Sequence, residues 1–467
     1  MQPNRSYRSL LRVVVTVALL LPWLRASAVG EDVVEARFGN GMRVLLVENH
    51  KLPTVVISVM FKGAGGYADP AGKAGLAAMT AALLREGTRT RSAKDIADQV
   101  DFLGASLGAS ADWDRATVNA SALSRDTATI LELMADITLR PAFKAEEVER
   151  RRSQVLGAIT QSLDDADGLA VKAFQRFLLG THPYGFPLIG LHKTVSSITR
   201  DDIAAFHAAN YRADNAVLVV AGDFKPDTLL PMLEKALGTF RPGTVPAPPP
   251  APEPVPRKAR ILLLDKPDLT QAKITFGHLG IPREHPDYYA AVVMNTILGG
   301  GGFLSRLSNV VRSKLGLTYN IRSGFDARKL GGTWSITSFT RTETAVDAIK
   351  AAMAEIDRLQ QGGVTSKELS EIQGYLVGSF ALGMETPEAR AGLLLSADLY
   401  NLGLDYIRTY PTKIRAVTAQ DVARAAQSLL NVGILRFVVV GNASKLEAAL
   451  STLGTVETRP HTEWDEI

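Results

Sequence analysis

The feature that most restricts how this chain can fold is a repeat. Ile198-Thr199-x-x-Asp202 returns as Val417-Thr418-x-x-Asp421, and Val219-Val220-Ala221-Gly222 returns as Val438-Val439-Val440-Gly441, both 219 positions later. Phe143-Lys144-Ala145-Glu146-Glu147-Val148 has a counterpart 221 positions on, in Val364-Thr365-Ser366-Lys367-Glu368-Leu369. Each match is short, and the shared offset is what points to two copies of one unit. Seven prolines fall between Thr244 and Arg257. Such a run is stiff and extended and cannot enter the interior of a helix or sheet. The expected organisation is two like domains, residues 29–243 and 258–467, joined by a linker over 244–257.

Within each copy, short strands mix with longer helical patterns, which defines an α+β class. Asn40-Gly41 between two apolar runs predicts a β-hairpin, with Met42–Glu48 as its second strand and Thr54–Phe61 as the next strand. Ser92 with Asp95 predicts a capped helix to about Gly104, and alternation over Ala105–Leu123 a second hairpin. Helices are expected at Thr127–Leu139 and Ala145–Leu163, with a buried strand at Ala216–Ala221.

Residues 1–28 stand apart. Arg5, Arg8 and Arg12 precede an apolar run from Val13 to Leu24, and Ala26-Ser27-Ala28 follows. This is the pattern of a cleaved secretory signal peptide, because the run is shorter than the ~20 residues a spanning helix needs and Pro22 interrupts it. Cleavage would remove four arginines and no acid, taking the formal charge of +4 to zero. No basic patch interleaved with aromatics argues for nucleic acid. The chain has no cysteine, so neither a disulfide nor a thiol nucleophile is available. A periplasmic protein with no membrane span after cleavage is the expectation.

The stretch Gly75-Leu76-Ala77-Ala78-Met79-Thr80-Ala81-Ala82-Leu83-Leu84-Arg85-Glu86-Gly87-Thr88 reads as a helix with a glycine entry and a Gly-Thr close. It resembles the helix of the pitrilysin or insulinase-type zinc peptidases, the inverzincins, whose H-x-x-E-H signature sits in such a frame. Two histidines at i and i+4 share a helix face and a metal, and the glutamate beside them serves as general base. The corresponding positions here are Ala78, Ala81 and Ala82. The resemblance also places the family's third ligand, a glutamate, at Ala158 in the Val155-Leu156-Gly157-Ala158 context. A methyl group binds no zinc and accepts no proton, so no metal and no catalytic residue are expected in this chain. His182-Pro183-Tyr184 also matches a family segment, and His182 reads as a structural loop histidine. Gly280 and Pro282 keep His278 and His285 off a common helix face, which argues against a replacement site.

In the second copy a helix closing near Leu298 is followed by Gly299, Gly300, Gly301 and Gly302, read as a flexible loop, and then by Ser305-Arg306-Leu307, Arg312, Gly316 and Tyr319. The glycines lack the spacing of a phosphate-binding loop. On the residues alone, Arg312 reads as a solvated residue in a last helical turn and Tyr319 as a strand aromatic in the core. The block resembles the second-domain segment of the same peptidases, in which an arginine and a tyrosine seven residues apart hold the substrate backbone. The resemblance therefore assigns Arg312 and Tyr319 to peptide binding. Arg306 reads as structural, and Arg322 as a further charge near the cleft.

The resemblance implies two homologous domains, each a mainly antiparallel sheet covered by helices, forming half of a clam-shell. Some members of the family pair a zinc-bearing subunit with a zinc-free one. The expectation is a non-catalytic, substrate-binding subunit of a heterodimeric periplasmic zinc peptidase, with zinc and H-x-x-E-H in the partner. Two alternatives stand beside it. One is a purely structural core-type subunit of a larger assembly. The other is an independent peptidase, against which stands the lack of cysteine, of H-x-x-x-H and of a G-x-S-x-G elbow.

Overall fold

The computed structural model describes residues 27–28, 33–254 and 260–466. The expected leader lies outside these residues apart from a two-residue strand, as does the end of the proline linker.

Two sheets carry the fold. The first comprises β1 (Ser27–Ala28), β2 (Val34–Arg37), β3 (Arg43–Glu48), β4 (Thr54–Lys62), β5 (Ser106–Ala111), β6 (Arg115–Leu123) and β7 (Ala216–Gly222), in the order β1-β2-β3-β7-β4-β6-β5. The second comprises β8 (Ile261–Asp265), β9 (Gln271–Gly280), β10 (Ile321–Ala327), β11 (Gly332–Arg341), β12 (Arg436–Gly441) and β13 (Val456–Pro460), in the order β10-β11-β9-β12-β8-β13. Pairing is mostly antiparallel, and β3 lies parallel to β7 just as β8 lies parallel to β12. Five strands of each sheet thus follow one plan. The copies differ at the outer edge, where β2 enters by a hairpin in the first and the late strand β13 runs parallel to β8 in the second.

The repeated Thr-x-x-Asp pattern has a local cause. Thr199 and Thr418 each accept the N–H of the aspartate three residues on, and that aspartate returns the bond to the threonine N–H. The reciprocal cap satisfies two donors that a helix start leaves free.

The buried strands read as continuous apolar runs because both faces are covered. Leu218 and Val220 of β7 join the first domain's own core, whereas Val217, Val219 and Ala221 pack under Ala391, Leu394, Leu395 and Leu399. Those residues belong to the helix Pro387–Leu399 of the second domain. The exchange is mutual. Leu169, Ala173, Phe174 and Phe177 of the helix Ala166–Leu179 pack on Leu262, Leu264, Val438 and Val440 of the second sheet. The two crossing helices start 221 positions apart, at the offset of the sequence repeat. Each fully buried large side chain contributes roughly 1.5–3 kcal/mol, so each domain draws part of its core from the other.

Polar links reinforce the exchange. Asp398, on one crossing helix, is buried and paired with Arg43 of β3 and with Lys62 of β4, the latter at 2.8 Å. Asp114, in the β5–β6 turn, is buried too. It accepts from the Tyr184 hydroxyl, from the Tyr400 hydroxyl at 3.2 Å and from the Lys329 N–H at 3.1 Å in the β10–β11 turn. Burial pushes the Asp114 carboxyl above its ordinary range, against the pull of the Tyr184 hydroxyl and the Lys329 N–H. Among the described residues no helix is long and apolar enough to cross a membrane.

Candidate functional site

The helix that resembles a zinc helix runs from Leu76 to Leu83. It starts at Gly75, which has φ +100°, and a Cβ there would lie 2.8 Å from the Ile189 carbonyl oxygen. Only glycine meets both conditions. The Asp69 carboxylate accepts the N–H groups of Gly75 at 2.8 Å and Ala77 at 2.7 Å, capping the helix from outside. Its burial drives its pKa up to about 7, against the pull of those N–H donors. The helix is shorter than the sequence frame, which extended to Thr88. Glu86 is drawn aside by Arg150 and by Arg151 at 3.0 Å, Gly87 takes φ +114°, and the Thr88 hydroxyl donates to Asp136 at 2.7 Å.

Ala81 is buried, and Ala78 and Ala82 are half-buried. Ala158 is exposed on the helix Ala145–Gln161, which packs against this one. These four positions present methyl groups, which do not fit zinc. Among the described residues no three His, Asp or Glu side chains converge as a metal-holding group.

Each singled-out histidine has a backbone partner instead. His182 accepts the Tyr184 N–H at 3.1 Å through Nδ1, and its Nε2 lies 3.1 Å from the Pro250 carbonyl of the linker. His278 is buried, with Nδ1 on the Leu279 carbonyl at 2.7 Å and Nε2 accepting the Asn431 N–H at 3.2 Å. His285 accepts the Asp287 N–H at 3.1 Å.

The second-domain block is more elaborate than a helix, loop and helix. The helix Tyr288–Asn295 passes into a π-helical turn over Thr296–Gly300, a 3-10 turn over Gly302–Leu304 and a second π-helical segment over Ser308–Lys314. Such wide turns are rare and frequent at functional sites. Within the glycine run read from the sequence as a flexible loop, Gly299 and Gly301 are buried. A Cβ on Gly299 would lie 2.5 Å from Ser323 Oγ, and one on Gly301 would lie 2.7 Å from the Thr296 carbonyl oxygen. Gly300 is exposed, and Gly302 takes φ +58°. Gly299 and Gly301 fit glycine because neighbours approach too closely for side chains, and Gly302 because its φ is positive.

Arg306 holds this block in place. It binds both oxygens of Glu368, at 2.9 and 3.1 Å, and donates to the Gly363 carbonyl at 2.8 Å. Burial opposes ionisation of Glu368, but hydrogen bonds from Arg306 and Thr365 outweigh it and hold its pKa at about 2. With the folded pKa depressed, the unfolded chain takes up the proton first. Stability is therefore expected to fall as pH drops from the ordinary 4.5 towards about 2. In Glu368→Gln this limb is expected to flatten, as melting temperatures measured across that window would show.

Arg312 lies at the end of the second π segment. Its guanidinium carbon is 4.5 Å from the ring centroid of Phe303 and 5.1 Å from that of Tyr319. No carboxylate among the described residues pairs with it. Tyr319 is 75% exposed and stands before β10, so its reading as a core strand aromatic is corrected. Phe303, 72% exposed, was not legible as part of the site, because an aromatic after a glycine run looks the same in sequence whether it is buried or displayed. Arg322 donates to Thr337 at 3.2 Å and lines a separate cavity of about 240 Å³ with Asp167, Lys273 and Asn320.

A pair of interlocked α+β domains, with methyl groups at the metal positions of one and an arginine–tyrosine turn in the other, defines a catalytically silent member of the inverzincin peptidase class. The chain belongs to the insulinase family, peptidase family M16. Residues 43–187 match the family model described as insulinase (peptidase family M16), and residues 197–376 the one described as peptidase M16 inactive domain. The crystal structure of a peptidase M16 inactive domain from Pseudomonas fluorescens is 31% identical, covers 88% of this chain and 98% of its own, and superposes with a TM-score of 0.81. A Mycobacterium tuberculosis protein described as an uncharacterized zinc protease is 29% identical over 79% of this chain and 84% of its own length. A Helicobacter pylori protein described as a non-peptidase homolog is 26% identical over 86% and 92%. Relatives thus carry both kinds of description. With alanine at the expected ligand and base positions, this chain is an inactive homologue.

Proposed function

We propose that this chain is the non-catalytic, substrate-holding subunit of a two-subunit periplasmic zinc peptidase. The observation that carries the reading is a contrast within one molecule. The four positions where the family holds and uses zinc present methyl groups, while Arg312, with no carboxylate partner among the described residues, lies against the rings of Phe303 and the exposed Tyr319. A guanidinium and a phenol donate hydrogen bonds to backbone carbonyls of an extended peptide, and so hold it whatever its side chains. A partner subunit bearing H-x-x-E-H supplies zinc and the general base. Positioning by a separate subunit contributes to rate because it fixes the reacting bond before the chemistry begins.

The test is to recover the tagged chain from its native source and identify what accompanies it. A stoichiometric partner with an intact H-x-x-E-H helix, found in the periplasmic fraction, is the expected result. Recovery of a stable assembly without any such partner would favour the purely structural alternative.

A further inference from the structure

A second cavity, of about 340 Å³, is lined only by residues of the second domain, at the end of β10 and on the helices Tyr288–Asn295, Pro387–Leu399 and Tyr406–Arg415. None of its lining residues belongs to the arginine–tyrosine turn. Its volume falls within the range of ligand pockets, about 300–1,000 Å³.

Arg283 lines this cavity and is only 8% exposed. Its guanidinium carbon lies 3.6 Å from the centroid of the Tyr288 ring, Nη2 donates to the Tyr406 hydroxyl at 3.0 Å, and the backbone N–H donates to the Arg328 carbonyl at 3.0 Å. Side chain and backbone are thus both held. What the site lacks is a counter-charge. The acids near Arg283 are engaged by other cations: Glu284 by Lys329, Asp287 by Arg424 at 2.9 Å, and Asp326, on the cavity wall, by Arg328. No carboxylate among the described residues pairs with Arg283. A buried charge without a partner is costly, and an arriving anion relieves that cost.

The rest of the wall selects among anions. Tyr288, Phe325, Tyr400 and Tyr406 supply aromatic surface. The hydroxyls of Tyr288 and Ser396 bond to no group among the described residues, which leaves them open to an acceptor. One unbalanced guanidinium matches one negative charge, and its planar fork fits a carboxylate. A phosphate dianion would keep a charge that nothing on the wall balances.

We infer that this cavity binds a small aromatic carboxylate, with the acid group on Arg283 and the ring among Tyr288, Phe325 and Tyr400. The site is separate from the proposed peptide-holding one and does not depend on it. Tyr400 also donates to Asp114 of the first domain at 3.2 Å, so a filled cavity backs the junction between the domains. A ligand that binds only the folded chain raises its melting temperature.

The test is titration calorimetry and thermal melting of the purified full chain with phenylacetate, indole-3-acetate, the uncharged phenylacetamide and a tetrapeptide ending in phenylalanine. At least one free acid is expected to bind with a submillimolar Kd and to raise the melting temperature, and the amide to bind roughly tenfold more weakly. Arg283→Gln should remove the preference for acid over amide. Because Arg283 also braces Tyr406, that variant puts the fold at risk. Ser396→Leu narrows the cavity with Arg283 in place, and it should abolish binding of both acids. No binding of either acid at millimolar concentration overturns the inference, as does equal binding of the amide or undiminished binding in Ser396→Leu. Binding confined to the tetrapeptide would assign the cavity to a chain end and overturn it as well.

Discussion

Arg312→Ala is expected to lower kcat/KM of the reassembled complex by roughly a hundredfold without altering the fold. The guanidinium makes no ion pair among the described residues, so its removal forfeits only stacking on Phe303 and Tyr319, on the order of 1 kcal/mol or less. The activity loss and the stability loss should therefore separate cleanly. Tyr319→Phe keeps the ring and removes the hydroxyl, and its expected effect is smaller, roughly tenfold. Arg312→Lys keeps the charge but not the planar fork, so partial activity is expected. Melting temperatures beside kinetic constants check the pattern. A purely structural subunit would show small stability changes and no change in kinetics.

The largest stability effect is expected at the turn joining the domains. Asp114→Ala removes the acceptor for two hydroxyls and one backbone N–H, and the Tyr184 side chain that it serves is fully buried. Each buried donor left unsatisfied costs about 1–3 kcal/mol, and the losses are not simply additive. A total of about 3–5 kcal/mol is expected. The turn also holds Arg328, whose guanidinium carbon lies 3.6 Å from the centre of the Trp113 ring, so loosening of that contact adds to the effect. Asp114→Asn retains an oxygen but points N–H groups at donors, and should cost less. Urea unfolding followed by tryptophan fluorescence reads both variants. A change below about 1 kcal/mol in Asp114→Ala would mean that neighbouring groups or water replace the acceptor.

These two sites differ in how far the sequence reveals them. Asn40-Gly41, the Thr-x-x-Asp caps and the continuous apolar run of β7 each announce an element through local chemistry, and the structure places all of them as expected. The offset of 221 even relates the crossing helices. Their exchange was not legible, because a strand apolar on both faces says that two layers cover it and not which domain supplies the second. The short helix at Leu76–Leu83 ends before the Gly-Thr close of its pattern, and the turn that follows it carries Glu86 on Arg150 and Arg151, which are far away in sequence. The alanines at 78, 81, 82 and 158 were plain from the residues. The packing of Gly299 and Gly301 and the display of Phe303 depend on neighbours that no local pattern specifies.

The division of labour between a silent helix and a retained peptide anchor is tested most directly by separating the subunits of the native complex. Zinc content and peptide cleavage are then measured in each fraction and in the recombined mixture. The account predicts that zinc stays with the partner, that this chain alone cleaves nothing, and that activity returns on mixing. Stoichiometric zinc and peptide cleavage by the isolated chain would contradict it.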